Sequence, residues 1–102
     1  MGPTSNEPPM PDRTVVLPPR VDIDNVADVE AVLRAALAEG GVVDFDCAEL
    51  RFVDSAGAKM LFQLADYAHV HASTVYFANL HDGPLRVLTL LGIFDLYQRR
   101  HQ

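Results

Sequence analysis

The sequence predicts a single α/β domain, and two observations carry that prediction. Short runs of β-branched and aliphatic residues alternate with segments whose apolar residues recur every three to four positions, a pattern typical of layered α/β folds. The chain has 102 residues, of which 49% are hydrophobic, so one apolar core can form without disulfides or metals. The expected order is strand, helix, strand, helix, strand, helix, and a closing strand or turn.

Three strands and three helices are expected along the chain. Clusters of β-branched, aliphatic and aromatic residues predict the strands, at residues 14–17, 42–45 and 74–78. Helical spacing of apolar residues predicts the helices, at residues 25–38, 56–68 and 84–91. In the second helix the inward stripe is expected to be Met60, Leu61, Leu64, Ala65 and Ala68.

The two ends of the chain differ in composition from its middle. Residues 1–12 contain four prolines together with small polar residues. Such a mixture buries little apolar surface, so we expect a disordered tail there and a folded domain over residues 13–102. Residues 93–97 form a short apolar closing segment, which we expect to be a strand or a turn.

The charge of the chain argues against two classes of partner. It carries 14 acidic and 8 basic residues, for a net charge of −6, and has a single lysine, Lys59. Binding to nucleic acid depends on Lys and Arg that neutralise phosphates, so we expect neither nucleic acid nor an anionic membrane as a direct partner. No signal peptide pattern and no run near 20 apolar residues is present, so we expect a cytoplasmic protein.

Catalytic and metal-binding patterns are missing from the sequence. It contains no Gly-x-Ser-x-Gly elbow and no glycine-rich phosphate loop. The four histidines do not show the spacing of a helical metal pair, and the single cysteine, Cys47, is expected to be a small buried side chain. We therefore expect no enzymatic activity, no cofactor and no metal.

The segment Asp54-Ser55-Ala56-Gly57 stands directly before the second helix. Aspartate and serine are among the best acceptors for the unpaired N–H groups at a helix start, so Asp54 and Ser55 can both be plain capping residues. A hydroxyl at such a turn is also exposed enough for a kinase. Gly57 supplies either a close backbone approach or freedom for the tight start of the helix.

Most of the stretch from residue 14 to residue 97 resembles the STAS family, whose small stand-alone members include bacterial anti-sigma factor antagonists. Three features carry the resemblance: the strand followed by Asp54-Ser55-Ala56-Gly57 at a helix start; the next strand, then Pro84 and a helix ending in Leu91-Gly92-Ile93-Phe94; and Asp22 before the first helix. The resemblance implies a mixed β-sheet of about four strands, with helices mainly on one face.

The resemblance also implies a mechanism of partner switching. The unphosphorylated antagonist binds an anti-sigma factor of the serine-kinase type, the kinase phosphorylates the serine after the aspartate, and a PP2C-type phosphatase resets it. The matching residue here is Ser55. The expected partner-binding residues are Asp54, Ser55, Ala56, Gly57 and Lys59 at the start of the second helix, and Asp22 before the first helix, which the resemblance implies lies near Ser55.

Two departures from the family pattern keep alternatives open. The proline-rich tail replaces a usual first strand, and Lys59 occupies a position that is usually small. Related STAS proteins are constitutive regulatory subunits of a transporter ATPase or a signalling scaffold, and this chain can belong with them. The third alternative is a dimerisation module, since an uncovered edge strand at residues 14–17 favours pairing with a second chain as a homodimer.

Overall fold

The computed structural model describes residues 10–100, and in them it contains five strands and four helices. In chain order these are β1 Arg13–Val16, β2 Arg20–Val21, α1 Val26–Leu37, β3 Gly41–Asp46, β4 Phe52–Val53, α2 Ser55–Val70, β5 Ser73–Ala78, α3 Asp82–Leu90 and α4 Ile93–Arg100. Most of the predicted tail, residues 1–9, lies outside the described residues. The α/β class expected from the sequence is confirmed.

All strand pairs in the described part of the chain are parallel. One sheet has the order β1-β3-β5, and a smaller one pairs β2 with β4. The expectation of a mixed sheet of about four strands is therefore corrected to two parallel sheets. The reason lies in the connections, because each pair of neighbouring strands is joined by a crossover that contains a helix, and such a crossover returns the chain in the same direction.

The helices cover one face of the three-stranded sheet, as expected. Val43 and Phe45 of β3 and Val75 of β5 are buried on that face, where α1 packs against β1 and β3 and α2 packs against β5. The alternate residues of β3 and β5 are only half-buried. The period of two along each strand thus separates the core from the outer face.

Helix α2 is the central helix of the domain, in contact with α1, α4, β4 and β5. Its buried residues include all five members of the predicted inward stripe, together with Gly57 and Ala58. Spacing of three and four places these side chains on one face, so the periodicity of the sequence predicted the buried face of this helix correctly. The central position of α2 matters because its first turn carries the predicted site.

The closing segment is a helix, α4, and the expectation of a strand or turn is wrong. Ile93 and Tyr97 lie four residues apart, which puts both on the buried face of this helix. The Tyr97 hydroxyl donates to the Leu61 carbonyl oxygen at 2.8 Å, and burial raises the pKa of Tyr97. A short apolar run is compatible with both helical and strand periodicity, and here packing against α2 and α3 favours the helix.

Cys47 is fully buried after β3, as its apolar sequence neighbours indicated. Burial, with a smaller contribution from the adjacent Asp46 carboxylate, raises the pKa of the Cys47 thiol to about 12. The reactive thiolate is therefore scarce at neutral pH. Within residues 10–100, no helix has the length and apolar character needed to cross a membrane.

Candidate functional site

The site is built around the turn that leads from β4 into α2. Asp54 is the N-cap of α2, and its Oδ1 accepts a hydrogen bond from the Gly57 backbone N–H at 2.9 Å. The sequence left Asp54 and Ser55 as equal candidates for this role. Because Asp54 takes it, Ser55 becomes the first helical residue and is exposed to solvent.

The second oxygen of Asp54 reaches a different part of the chain. Asp54 Oδ2 accepts a hydrogen bond from the Ile23 backbone N–H at 3.0 Å, and the Asp54 backbone N–H donates to the Val21 carbonyl oxygen at 3.2 Å. One carboxylate therefore ties the start of α2 to the turn between β2 and α1. This bridge fixes the position of Ile23 relative to Ser55.

Asp22 shapes that turn from within. Its side chain is nearly buried, and its Oδ2 accepts from Arg20 Nε at 3.0 Å while its Oδ1 accepts from the Asp24 backbone N–H at 3.0 Å. The hydrogen bond from Arg20 is the main reason that the pKa of the Asp22 carboxyl is lowered, with burial opposing it. Asn25 is the N-cap residue of α1, but its side chain makes no capping hydrogen bond and its Oδ1 accepts from the Asp22 backbone N–H at 2.9 Å.

We expect Asp22→Asn to destabilise the protein in a pH-dependent way. A carboxyl whose pKa is lowered by folding stabilises the folded state at pH values above the ordinary 3.8 of aspartate, and this contribution is lost as the pH falls through the folded-state value. The melting temperature of Asp22→Asn should therefore lie below that of the parent at pH 7. The difference should shrink as the pH is lowered below about 3.8, and a constant difference over that range would contradict this assignment.

Gly57 is required for close approach rather than for backbone freedom. A Cβ atom at this position would lie 2.5 Å from the Val21 carbonyl oxygen and 3.0 Å from the Cγ1 atoms of Val21 and Val53. The first of these distances is shorter than any ordinary contact, and the atom involved belongs to the backbone. The glycine therefore lets the first turn of α2 rest directly on β2, which settles the choice between the two roles expected of it.

The pairing of β2 with β4 supports this arrangement and was not predicted. Val21 pairs with Val53 and Arg20 with Phe52, and the Arg20 guanidinium lies 4.6 Å from the centre of the Phe52 ring. Each strand has only two residues, which is too short for a periodic signal. This small sheet places the Asp22 turn beside Asp54, so all six predicted partner-binding residues lie at or next to the start of α2.

An apolar groove of about 350 Å³ runs beside Ser55. Its lining comes from the outer side of α2 and from the junction between α3 and α4: Ser55, Ala58, Lys59, Phe62, Leu91 and Ile93. Phe62 is 52% exposed and Leu91 53% exposed. Lys59 is exposed and stands one helical turn after Ser55. Ala56, half-buried, completes the predicted motif.

Sequence reasoning missed Phe62, Leu91 and Ile23 as parts of this site. Ile23, in the turn that Asp54 holds, is 71% exposed. Phe62 carried a usable signal, because it is a large apolar residue outside the inward stripe of α2. Ile23 and Leu91 carried none, since nothing local indicates that they lie near α2. We call the exposed residues Ile23, Ser55, Lys59, Phe62 and Leu91 the Ser55 surface.

A second groove, of about 240 Å³, lies between β1 and α1. Apolar side chains from both elements dominate its lining, among them Val15, Leu17, Val29, Val32 and Leu33. It borders β1, which stands at one edge of the three-stranded sheet. The expected self-association through this edge strand stays a prediction.

Comparison with known proteins identifies the family. The family model described as "Mlab, STAS domain" matches residues 11–98, which is most of the chain. A search of the curated proteins finds no match. The chain belongs to the STAS-domain family, and this membership indicates a regulatory domain.

Proposed function

We propose that this protein is a cytoplasmic anti-sigma factor antagonist that acts by partner switching and has no catalytic activity of its own. Unphosphorylated, it binds an anti-sigma factor of the serine-kinase type and so frees the sigma factor. The kinase then transfers the γ-phosphoryl group of ATP to the Ser55 hydroxyl, with loss of the hydroxyl proton, and the complex dissociates. A PP2C-type phosphatase hydrolyses the phosphoserine and restores binding.

The observation that carries this proposal is the exposure of Ser55 within an apolar surface. Ser55 is exposed at the first position of α2, while Asp54 performs the capping that a serine could have performed. Ile23, Phe62 and Leu91, three large apolar side chains, are at least half exposed on the Ser55 surface. Exposed apolar side chains that cluster together with polar residues at their rim are typical of a protein-binding surface.

The charge of the protein favours the same class of partner. With a net charge of −6, it is suited neither to nucleic acid nor to an anionic membrane. A protein surface with apolar groups to meet Phe62 and Leu91 is the more suitable partner. We propose that Ser55, Ala56 and Lys59 contact the partner directly. Asp22, Asp54 and Gly57 contribute to binding indirectly, because they hold the turn before α1 and the start of α2 in place.

Capture of partners from a lysate of the source cells tests this function. The tagged parent, Ser55→Ala and Ser55→Asp proteins serve as baits, and mass spectrometry identifies what each retains. We expect the parent and Ser55→Ala to retain an ATPase of the histidine-kinase-like fold and Ser55→Asp to lose it. Retention of the same partner by all three proteins would refute switching at Ser55.

We expect Phe62→Ala to weaken binding of that ATPase by tenfold or more, because a large aromatic side chain near the centre of an interface commonly contributes more than 1.4 kcal/mol. Val70→Ala is the matched control, since Val70 lies on the same helix, is 76% exposed and is absent from the groove lining. Isothermal titration calorimetry with the purified partner measures both. Equal affinities for the two variants would place the interface elsewhere.

A second function deserves a test because of the family model that matches. Its description names Mlab and no anti-sigma factor. We therefore keep the alternative of a constitutive regulatory subunit of a transporter ATPase or a signalling scaffold. In that case the same surface would bind its partner permanently, and Ser55→Asp and Ser55→Ala would capture the same transporter ATPase or scaffold protein as the parent does.

A further inference from the structure

We infer that Lys59 holds the phosphate when Ser55 is phosphorylated, which makes Lys59 a built-in part of the switch. The inference rests on the proposed function only in taking Ser55 as the modified residue. It assigns a role to Lys59, which occupies a position that is usually small in the family. The contact would be an ion pair within α2, between the phosphoserine oxygens and Lys59 Nζ.

The position of Lys59 on α2 supports the contact. Residues four apart on an α-helix are neighbours on one face, separated by about 6 Å along the axis. Helical side chains lean toward the N-terminus, so the Lys59 side chain leans toward Ser55. Both residues line the same groove, and Lys59 is exposed and can move to meet a phosphate.

The charges at the start of α2 point the same way. Lys59 is the fifth residue of α2 and stands just past its first turn, where the partial positive charge of the helix start has fallen off. Phosphorylation adds about −1.5 to −2 charges one turn before Lys59 and gives this cation an anionic neighbour. Arg20, the cation of the neighbouring turn, is already engaged by Asp22 and by the Phe52 ring.

The contact changes what a partner meets. Without phosphate, Lys59 is an exposed cation in the lining of the groove. With phosphate, its ammonium is drawn to Ser55, so the partner loses this cation and meets an anionic group in its place. Phosphorylation would thus alter two features of the Ser55 surface at once.

Phosphorus NMR on protein carrying phosphoserine at position 55 tests the contact with no partner present. The pH midpoint of the phosphoserine titration is measured for the parent, Lys59→Gln, Lys59→Arg and Arg34→Gln. Arg34→Gln is the matched control, because it removes one positive charge near Tyr67, whose ring centre lies 4.6 Å from the Arg34 guanidinium. Tyr67 is twelve residues from Ser55, about 18 Å along α2 and beyond the Debye length of about 8 Å at physiological salt.

A nearby cation favours the dianionic phosphate, so its removal raises the midpoint. We expect Lys59→Gln to raise it by about half a pH unit, and 1 M salt to reduce the difference. Lys59→Arg should keep the parent midpoint, and Arg34→Gln should leave it unchanged. Coincident midpoints for Lys59→Gln and Arg34→Gln would overturn the inference. That result would not contradict the proposed switch, because the titration is measured without a partner. Conversely, failure of partner capture would contradict the switch but not the ion pair between Lys59 and the phosphoserine.

Discussion

A phosphoryl group on Ser55 is expected to weaken binding of the ATPase partner by a few hundred-fold while the fold stays intact. The start of α2 accommodates an anion well, because its free N–H groups and partial positive charge favour negative groups. An interface that buries Phe62 and Leu91 beside Ser55 does not, since a doubly charged group must lose its water there. A loss of about 3–4 kcal/mol of binding free energy corresponds to that ratio.

Two measurements distinguish a loss of partner binding from a loss of folding. Calorimetric titration of the purified partner should give a dissociation constant a few hundred-fold higher for the phosphoserine protein than for the parent, with Ser55→Ala close to the parent. Thermal melting of the free proteins should give nearly the same midpoint for all three. A large fall in the melting temperature on phosphorylation would mean that the modification acts by unfolding the helix start, contrary to this account.

Gly57→Ala is expected to destabilise the protein by about 2 kcal/mol, although alanine is the better helix former. The added Cβ atom would lie 2.5 Å from the Val21 carbonyl oxygen, so either α2 or β2 must shift. A shift at this point also strains the bridge from Asp54 to Ile23. We therefore expect weaker partner binding in addition to lower stability.

Gly83→Ala is the matched control for this substitution. Gly83 also lies within a helix, α3, but a Cβ atom there would meet only the Arg51 carbonyl oxygen at an ordinary 3.8 Å. We expect Gly83→Ala to be neutral or to stabilise the protein by up to about 1 kcal/mol, the usual advantage of alanine over glycine in helices. Urea denaturation measures both free energies of unfolding. Equal effects of the two substitutions would contradict the close-approach role of Gly57.

Much of the fold could be predicted because local rules and global packing agree along most of the chain. The apolar periodicity of residues 56–68 identified the inward stripe of α2, and the observed helix, Ser55–Val70, differs from the prediction by one or two residues at each end. Strands β3 and β5 likewise match their β-branched and aromatic runs. Helix α4 was missed because a five-residue apolar run carries too little periodicity to distinguish helix from strand.

The site was predictable only in part, for a similar reason. The helix start at Asp54 and Ser55 follows from capping chemistry, which acts over three residues. The second role of Asp54 depends on Ile23, which reaches it through the pairing of two short strands that no local pattern encodes. The groove depends on Leu91, which is brought to α2 by the packing of α3 and α4.

Phosphoryl transfer to the purified protein tests the central claim most directly. The ATPase captured by Ser55→Ala is purified and incubated with ATP and either the parent or Ser55→Ala protein, and the products are digested and mapped by mass spectrometry. The account predicts a single phosphoryl group on the parent, on Ser55, and none on Ser55→Ala. The absence of transfer to the parent, or transfer to another hydroxyl in both proteins, would contradict it.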